Sequence, residues 1–203
     1  LAYRRKDHFY KRAKKEGYLS RAAYKLEELN RKMRLVKKGD RVVDVGCAPG
    51  GWSQVLLKMV GSGGLVIGID ILDRCQVVGE NFRFLNMDVE DGACVDEVLK
   101  LAGGKVDVVV SDAAPNTTGI RMTDHARSVR LVGLVISFAL EVLKEGGNFA
   151  AKVFDGPDTG ELVGVLRENF SQVRRVRPGA TRKESSELYL TGIGFKGRQK
   201  SEE

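Results

Sequence analysis

Long apolar runs are missing from this 203-residue chain. None approaches the 18 or more residues of a membrane span, and the basic N-terminus is not followed by an apolar signal-peptide core. The expected location is therefore the cytoplasm. Cysteine is scarce: Cys47, Cys75 and Cys94 are odd in number and far apart, which suits neither a disulfide framework nor a Cys-x-x-Cys zinc site. Histidine is scarcer still. With only His8 and His125, a multi-histidine metal centre is disfavoured, no metal is expected, and acid–base chemistry falls to Lys, Asp, Glu or Tyr. No internal repeat or low-complexity block interrupts the chain. Its 42% apolar and 30% charged residues suit one globular domain with an appendage.

What the chain does have is positive charge, unevenly placed. Lys plus Arg outnumber Asp plus Glu by 34 to 27, a net of +7. Residues 1–38 hold 14 basic and 4 acidic side chains, a net of +10, which leaves −3 on the rest. Within this segment Arg4, Arg5, Lys6, Lys11, Arg12, Lys14 and Lys15 alternate with Tyr3, Phe9, Tyr10 and Tyr18. That mixture suits phosphate pairing with base or ribose stacking. A second cluster, Arg174, Arg175, Arg177, Arg182 and Lys183, lies in a stretch without acids. Either cluster alone is an ordinary solvated surface, but together they point to an anionic partner such as nucleic acid.

Ser20 is placed to cap a helix from about Arg21 to Met33, with Ala22, Leu26, Leu29 and Met33 at helical spacing. After Gly39 short β-rich runs alternate with helical stretches. The predicted order is strand Arg41–Val45, helix Gly51–Val60, strands Leu65–Ile69 and Phe82–Leu85, helix Ala93–Ala102 and strand Val106–Ser111. Helix Asp124–Lys144, strand Asn148–Phe154, helix Thr159–Asn169 and strands Gln172–Val176 and Leu188–Phe195 follow. This alternation predicts an α/β fold with a mostly parallel, doubly wound sheet, and the last two strands predict an antiparallel hairpin. The expected organisation is a basic helical extension over 1–38, a main domain over 39–195 and a polar tail over 196–203. Arg121 and Met122, beside Gly119, are expected in a mobile lid.

In open parallel sheets ligands bind beyond the carboxyl ends of the strands. The first such end reads Asp44-Val45-Gly46-Cys47-Ala48-Pro49-Gly50-Gly51-Trp52, small residues that let backbone approach a ligand. Its spacing is not Gly-x-Gly-x-x-Gly, and Pro49 lacks the N–H that a pyrophosphate cradle uses. The next strand ends at Asp70, near the spacing at which a carboxylate accepts from a ribose diol, and Asp88 follows the third strand, where it can accept from an adenine amino group. Gly, Asp and Asp at three successive strand ends suggest a nucleoside ligand without a pyrophosphate, for which S-adenosylmethionine is the common cofactor. Taken singly, each aspartate is equally well a turn or cap residue.

Five segments then resemble the FtsJ/RrmJ ribose 2′-O-methyltransferases, within the Rossmann-like methyltransferases. They are Ser20-Arg21-Ala22-Ala23-Tyr24-Lys25-Leu26, Asp44 through Gln54, Ser111-Asp112-Ala113-Ala114-Pro115-Asn116, Ala151-Lys152-Val153-Phe154 and Ser186-Glu187-Leu188-Tyr189. The resemblance runs from about Tyr10 to Phe195. It implies a catalytic tetrad of Lys25, Asp112, Lys152 and Glu187, and cofactor contacts from Gly46, Pro49, Gly50, Gly51, Trp52, Asp70, Asp88 and Asp112. Where the family usually has Ala, this chain has Cys47, a small-for-small change. The implied substrate is a uridine ribose of large-subunit ribosomal RNA, methylated by a monomer. Rival expectations are tRNA anticodon-loop methylation, a noncatalytic ribosome-assembly factor and, more remotely, a nicotinamide-dependent oxidoreductase.

The tetrad also makes chemical sense without the family. A ribose hydroxyl is a very weak acid, so its attack on a sulfonium methyl gains from a base and from groups that fix it in line. A lysine serves as that base when its neutral form is accessible, which burial and a second ammonium favour. Lys152 interrupts the apolar runs Phe149-Ala150-Ala151 and Val153-Phe154, where an unpaired lysine is costly, and is the expected proton acceptor. Lys25 would favour its neutral form or position the ribose, Asp112 would orient it, and Glu187 would hold a lysine. Asp112-Ala113-Ala114-Pro115 lacks the aromatic residue that stacks on a flipped base in amino-methylating enzymes, which favours oxygen as acceptor.

Overall fold

The computed structural model describes residues 8–182 and 184–197. Tyr3, Arg4, Arg5, Lys6, Lys183 and most of the polar tail lie outside those residues. Helices α1 (His8–Lys15) and α2 (Ala23–Met33) come first, then β1 (Arg41–Val45), α3 (Gly51–Val60), β2 (Leu65–Asp70) and β3 (Phe82–Asn86). They are followed by α4 (Gly92–Ala102), β4 (Val106–Ser111), α5 (Arg121–Val142), β5 (Leu143–Phe154), α6 (Thr159–Asn169), β6 (Phe170–Val176) and β7 (Glu187–Phe195). The seven strands form one sheet in the order β3-β2-β1-β4-β5-β7-β6. All neighbours are parallel except β7, which runs antiparallel to both β5 and β6. The expected hairpin is present, with β7 inserted between β5 and β6.

Strands covered on both faces must be apolar on both faces. Val42, Val43, Val66, Ile67 and Val108 to Val110 meet that requirement and are fully buried. One face packs on α4, α5 and α6 through Val98, Val132, Phe138 and Leu166. The other packs on α2 and α3 through Leu26, Leu29, Trp52 and Leu56. Strand order reverses between β1 and β4, so a crevice opens beyond their carboxyl ends.

Three boundaries differ from expectation for identifiable reasons. Helix α5 starts at Arg121 rather than Asp124. The Asp124 carboxylate accepts from Thr118 N, Thr118 Oγ1 and Gly119 N at 2.6, 2.8 and 3.1 Å, which holds its proton affinity below the usual carboxylate range. Arg121 and Met122 therefore form a helical turn behind a pinned loop, not the expected lid. Strand β5 begins at Leu143, which is buried and pairs with Val106, so α5 stops at Val142. Helix α2 starts at Ala23 because Ser20 Oγ accepts from Ala22 N at 3.1 Å, one irregular turn ahead of the helix.

The N-terminal aromatics also serve otherwise than expected. Phe9 and Tyr18 pack on Tyr24 with ring centroids 5.6 and 5.7 Å away, and Arg12 lies over the same ring while pairing with Glu16. Their apolar faces dock α1 onto α2. The β6–β7 loop closes against this pair: Arg21 Nη2 donates to Ala180 O at 2.6 Å, and Gly179 N donates to Glu28 Oε2 at 2.7 Å. Among the described residues, the segments that carry the two basic clusters thus adjoin, with Ala13 and Ala180 in one apolar cluster. Because Leu26 of α2 is fully buried in the same cluster as Val42 and Trp52, Leu26→Ala should destabilise the whole domain by about 2–5 kcal/mol in urea denaturation. A loss near zero would mean that α2 is a detachable arm.

Candidate active site

Lys152 sits late in β5, and the sheet register builds its surroundings. Ser111 of β4 aligns with Ala151, so Asp112, the next residue, emerges beside Lys152. Tyr189 of β7 lies directly opposite Lys152, and Glu187 lies opposite Phe154. Alternation along a strand puts Glu187 and Tyr189 on one face. Lys25 reaches this face from α2, whose apolar stripe seats it on the sheet.

The four expected tetrad residues meet. Lys152 Nζ donates to Asp112 O at 2.6 Å and lies 3.1 Å from Asp112 Oδ1. Lys25 Nζ lies 2.8 Å from Glu187 Oε2 and 4.0 Å from Asp112 Oδ1. Both lysines are buried, at 7% and 8% exposure. That is tolerable because two ammonium groups face two carboxylates, whereas an unpaired ion there would cost several kcal/mol.

Tyr189, the last residue of the Ser186–Tyr189 motif, joins the tetrad. It is fully buried, donates its hydroxyl to Asp112 Oδ1 at 2.6 Å and stacks on Trp52 at 5.6 Å and 25°. Burial, reinforced by the Asp112 charge, pushes its ionisation well above the usual range, so it stays a neutral donor. Its signal was available: it lies two residues after Glu187, on the same strand face.

A cleft of about 580 Å³ opens from Asp112 along the ends of β1, β2 and β3. Gly46, Asp70, Asp88 and Asp112 line it, with Leu72, Met87 and Pro115 as apolar wall. Gly46 has φ +74, and a Cβ there would come within 2.5 Å of Ala113 Cβ, so only glycine lets the β1 and β4 loops touch. Asp70 accepts from Ala48 N and Leu72 N, both at 2.8 Å, and Asp88 accepts from Glu90 N at 3.0 Å. The Leu72 and Glu90 bonds form local turns, the Ala48 bond ties the β1 loop to the end of β2, and both side chains also line the cleft.

Pro49, Gly50, Gly51 and Trp52 are not among the residues lining the cleft. Gly50 approaches Leu19 and Val77, Gly51 approaches Ser20, and the Trp52 indole N–H donates to Ala22 O at 2.9 Å. Gly50, Gly51 and Trp52 thus pack the start of α3 closely against the chain leading into α2 and, at Gly50, against Val77. Cys47 is buried, and burial raises its thiol further above the ordinary range, which leaves no thiolate for nucleophilic chemistry.

Asp44 is a further polar residue inside an apolar strand. It is 1% exposed; Ser53 Oγ donates to its Oδ2 at 2.7 Å, and its Oδ1 has no partner. Burial, with lesser repulsion from Asp112 and Asp70, pushes its carboxyl up to about 7. Asp44 does not itself line the cleft, but the next residue, Val45, does, and an orphaned buried acceptor there suits a cationic or N–H-bearing group. The Asp70 and Asp88 carboxylates, as acceptors that line the cleft, fit the ribose and adenine groups of S-adenosylmethionine, and Asp44 behind its wall fits the ammonium.

No group of three or more His, Cys, Asp or Glu side chains able to hold a metal occurs among the described residues, and no described helix is long and apolar enough to cross a membrane. A ribosomal RNA large subunit methyltransferase E from Methanothermobacter thermautotrophicus is 47% identical over 201 residues, covering 99% of this chain and 95% of the relative. Its namesake from Methanobrevibacter smithii is 44% identical over 193 residues, covering 95% and 92%. A crystal structure from Plasmodium falciparum, assigned as a ribosomal RNA methyltransferase, superposes with a TM-score of 0.79 at 31% identity, covering 89% of this chain and 100% of that one. The FtsJ-like methyltransferase profile matches residues 18–195, the span that carries the buried tetrad and the cleft, and the chain therefore belongs to that family of methyltransferases.

Proposed function

We propose that this methyltransferase transfers the methyl group of S-adenosylmethionine to a uridine 2′-hydroxyl of large-subunit ribosomal RNA, acting as a cytoplasmic monomer. The observation that carries the reaction is Asp112, which lines the cleft and binds Lys152 and Tyr189 through one carboxylate oxygen. The names of the similar proteins support the choice of RNA. In the cleft Asp70 and Asp88 would hold the ribose and adenine, and Asp44 the ammonium. The bound cofactor supplies an electrophilic methyl group on a sulfonium.

Lys152 donates to Asp112 O and has Asp112 Oδ1 within reach at 3.1 Å. A neutral amine satisfies both with its two N–H bonds, leaving its lone pair for the 2′-hydroxyl proton. Asp112 would thus orient the base. Lys25, fixed by Glu187, would present its remaining N–H groups to the ribose and hold the oxygen in line with the methyl. The cations of residues 1–38 and of the β6–β7 region would grip the phosphate backbone, while 39–195, joined by Lys25 from α2, performs the chemistry.

Lys152→Ala should lower transfer of labelled methyl into unmodified 50S-type subunits by about 10²-fold or more, with cofactor affinity within about twofold of wild type. Substantial retained turnover would assign the base elsewhere. Mapping the label would test the substrate, since methyl in a tRNA anticodon loop rather than ribosomal RNA would replace it. Asp44 binds a proton below about 7, and a cationic ligand favours its ionised form. Cofactor affinity measured by calorimetry should therefore rise as pH increases towards that value and level off above it, and Asp44→Asn should flatten the profile. Neutralising Lys11, Lys14, Lys15, Arg174 and Arg175 should weaken RNA binding and reduce its salt slope, leaving cofactor affinity unchanged.

A further inference from the structure

His125 is a buried titratable side chain that the reaction above does not use. It is 2% exposed on the inner face of α5. Its Nδ1 lies 2.7 Å from Phe154 O, and its Nε2 lies 3.2 Å from Asp158 N. A carbonyl only accepts, so Nδ1 carries a proton and donates to Phe154 O, while Nε2 faces both the Asp158 amide and, at 3.2 Å, its carboxylate Oδ2. One turn along, Ser128 Oγ accepts from Phe154 N at 3.0 Å. Both main-chain polar groups of Phe154 are thus held by α5. The chain then crosses the imidazole so closely that a Cβ on Gly156 would lie 2.6 Å from the ring.

The segment held in this way borders a second groove, of about 560 Å³, lined by Thr117, Arg121, Phe154, Asp155, Arg177 and Ser186 among others. The loop after β4 separates the two spaces: residues up to Asn116 face the cofactor cleft, and Thr117 and Gly119 face the groove. Phe154 lies two residues past Lys152 and Ser186 adjoins Glu187, so the groove is walled by the chain next to two members of the tetrad, although no tetrad side chain lines it. Asp155 N donates to Ser186 O at 2.9 Å, closing its wall. The paired register ends at Phe154, and beyond it the chain is held by Asp155 N to Ser186 O, by Gly156 N to Thr159 Oγ1 and by His125.

We infer that His125 is a positioning residue for the acceptor RNA: by bracing Phe154 to Asp158 it shapes the groove that receives the target nucleotide, and it leaves methyl-donor binding untouched. This rests on the reading that the tetrad methylates RNA. His125→Leu keeps bulk but removes both hydrogen bonds, whereas His125→Asn restores a donor towards Phe154 O. The Leu variant should raise KM for 50S-type subunits about tenfold, with the dissociation constant for S-adenosylmethionine within about twofold of wild type. The Asn variant should recover most of the loss. Ser128→Ala, which removes the other half of the brace, should raise the same KM and serves if the Leu variant does not fold. Unchanged RNA KM in these variants, or equal loss of cofactor affinity without rescue by Asn, would overturn the inference and leave His125 a packing residue. A wild-type protein that methylates no RNA would instead overturn the underlying reading, and with it this role.

Discussion

One carboxylate oxygen, Asp112 Oδ1, is where the structure's demands meet. It accepts from Tyr189, pairs with Lys152 at 3.1 Å and stands 4.0 Å from Lys25. Two nearly buried ammonium groups tolerate each other there only because Asp112 and Glu187 complete a neutral set. Removing any one charge leaves another uncompensated in a place where water cannot repay the loss. The loop carrying Asp112 must also touch the β1 loop, which is why Gly46 cannot bear a side chain against Ala113.

Holding that junction takes elements from both ends of the chain. Helix α2 brings Lys25 and is seated by Leu26 and Leu29, and by Trp52, which donates to Ala22 O and stacks on Tyr189. Strand β7 brings Glu187 and Tyr189 by entering the sheet antiparallel between β5 and β6. The stacked pair joins cofactor-loop helix to catalytic strand, so Trp52 acts through packing. Asp112 likewise couples two spaces, since the loop it begins lines the cleft on one side and the groove on the other.

Much of this was legible because it depends on local chemistry. Strand ends marked by Gly46, Asp70, Asp88 and Asp112 lie where alternating periodicity placed them, and Lys152 stood out as a charge within an apolar run. Asp44 carried the same signal inside Val42-Val43 and Val45 but was absorbed into a loop motif. Tyr189 was hidden because a tyrosine in a strand is ordinary until its hydroxyl partner is known. Expectations failed where a residue's partner is distant in sequence. Phe9 and Tyr18, suited to stacking on bases, pack against Tyr24, one tilted and one edge-on. Arg121 and Met122, expected in a lid, form a helix turn behind the loop that Asp124 pins.

The sequence by itself determined the alternating α/β architecture, the polarity of charge along the chain and the chemical types at the strand ends. Each follows from periodicities and backbone preferences that act over a few residues. Only the tertiary structure decided which lysine pairs with which acid, that Tyr189 joins them, that the segments carrying the two basic clusters adjoin and that His125 braces the end of β5. Those facts depend on strand register and helix seating between segments up to 162 residues apart. A shift of one residue in the β5–β7 register would turn Glu187 and Tyr189 to the opposite face while leaving every local preference intact.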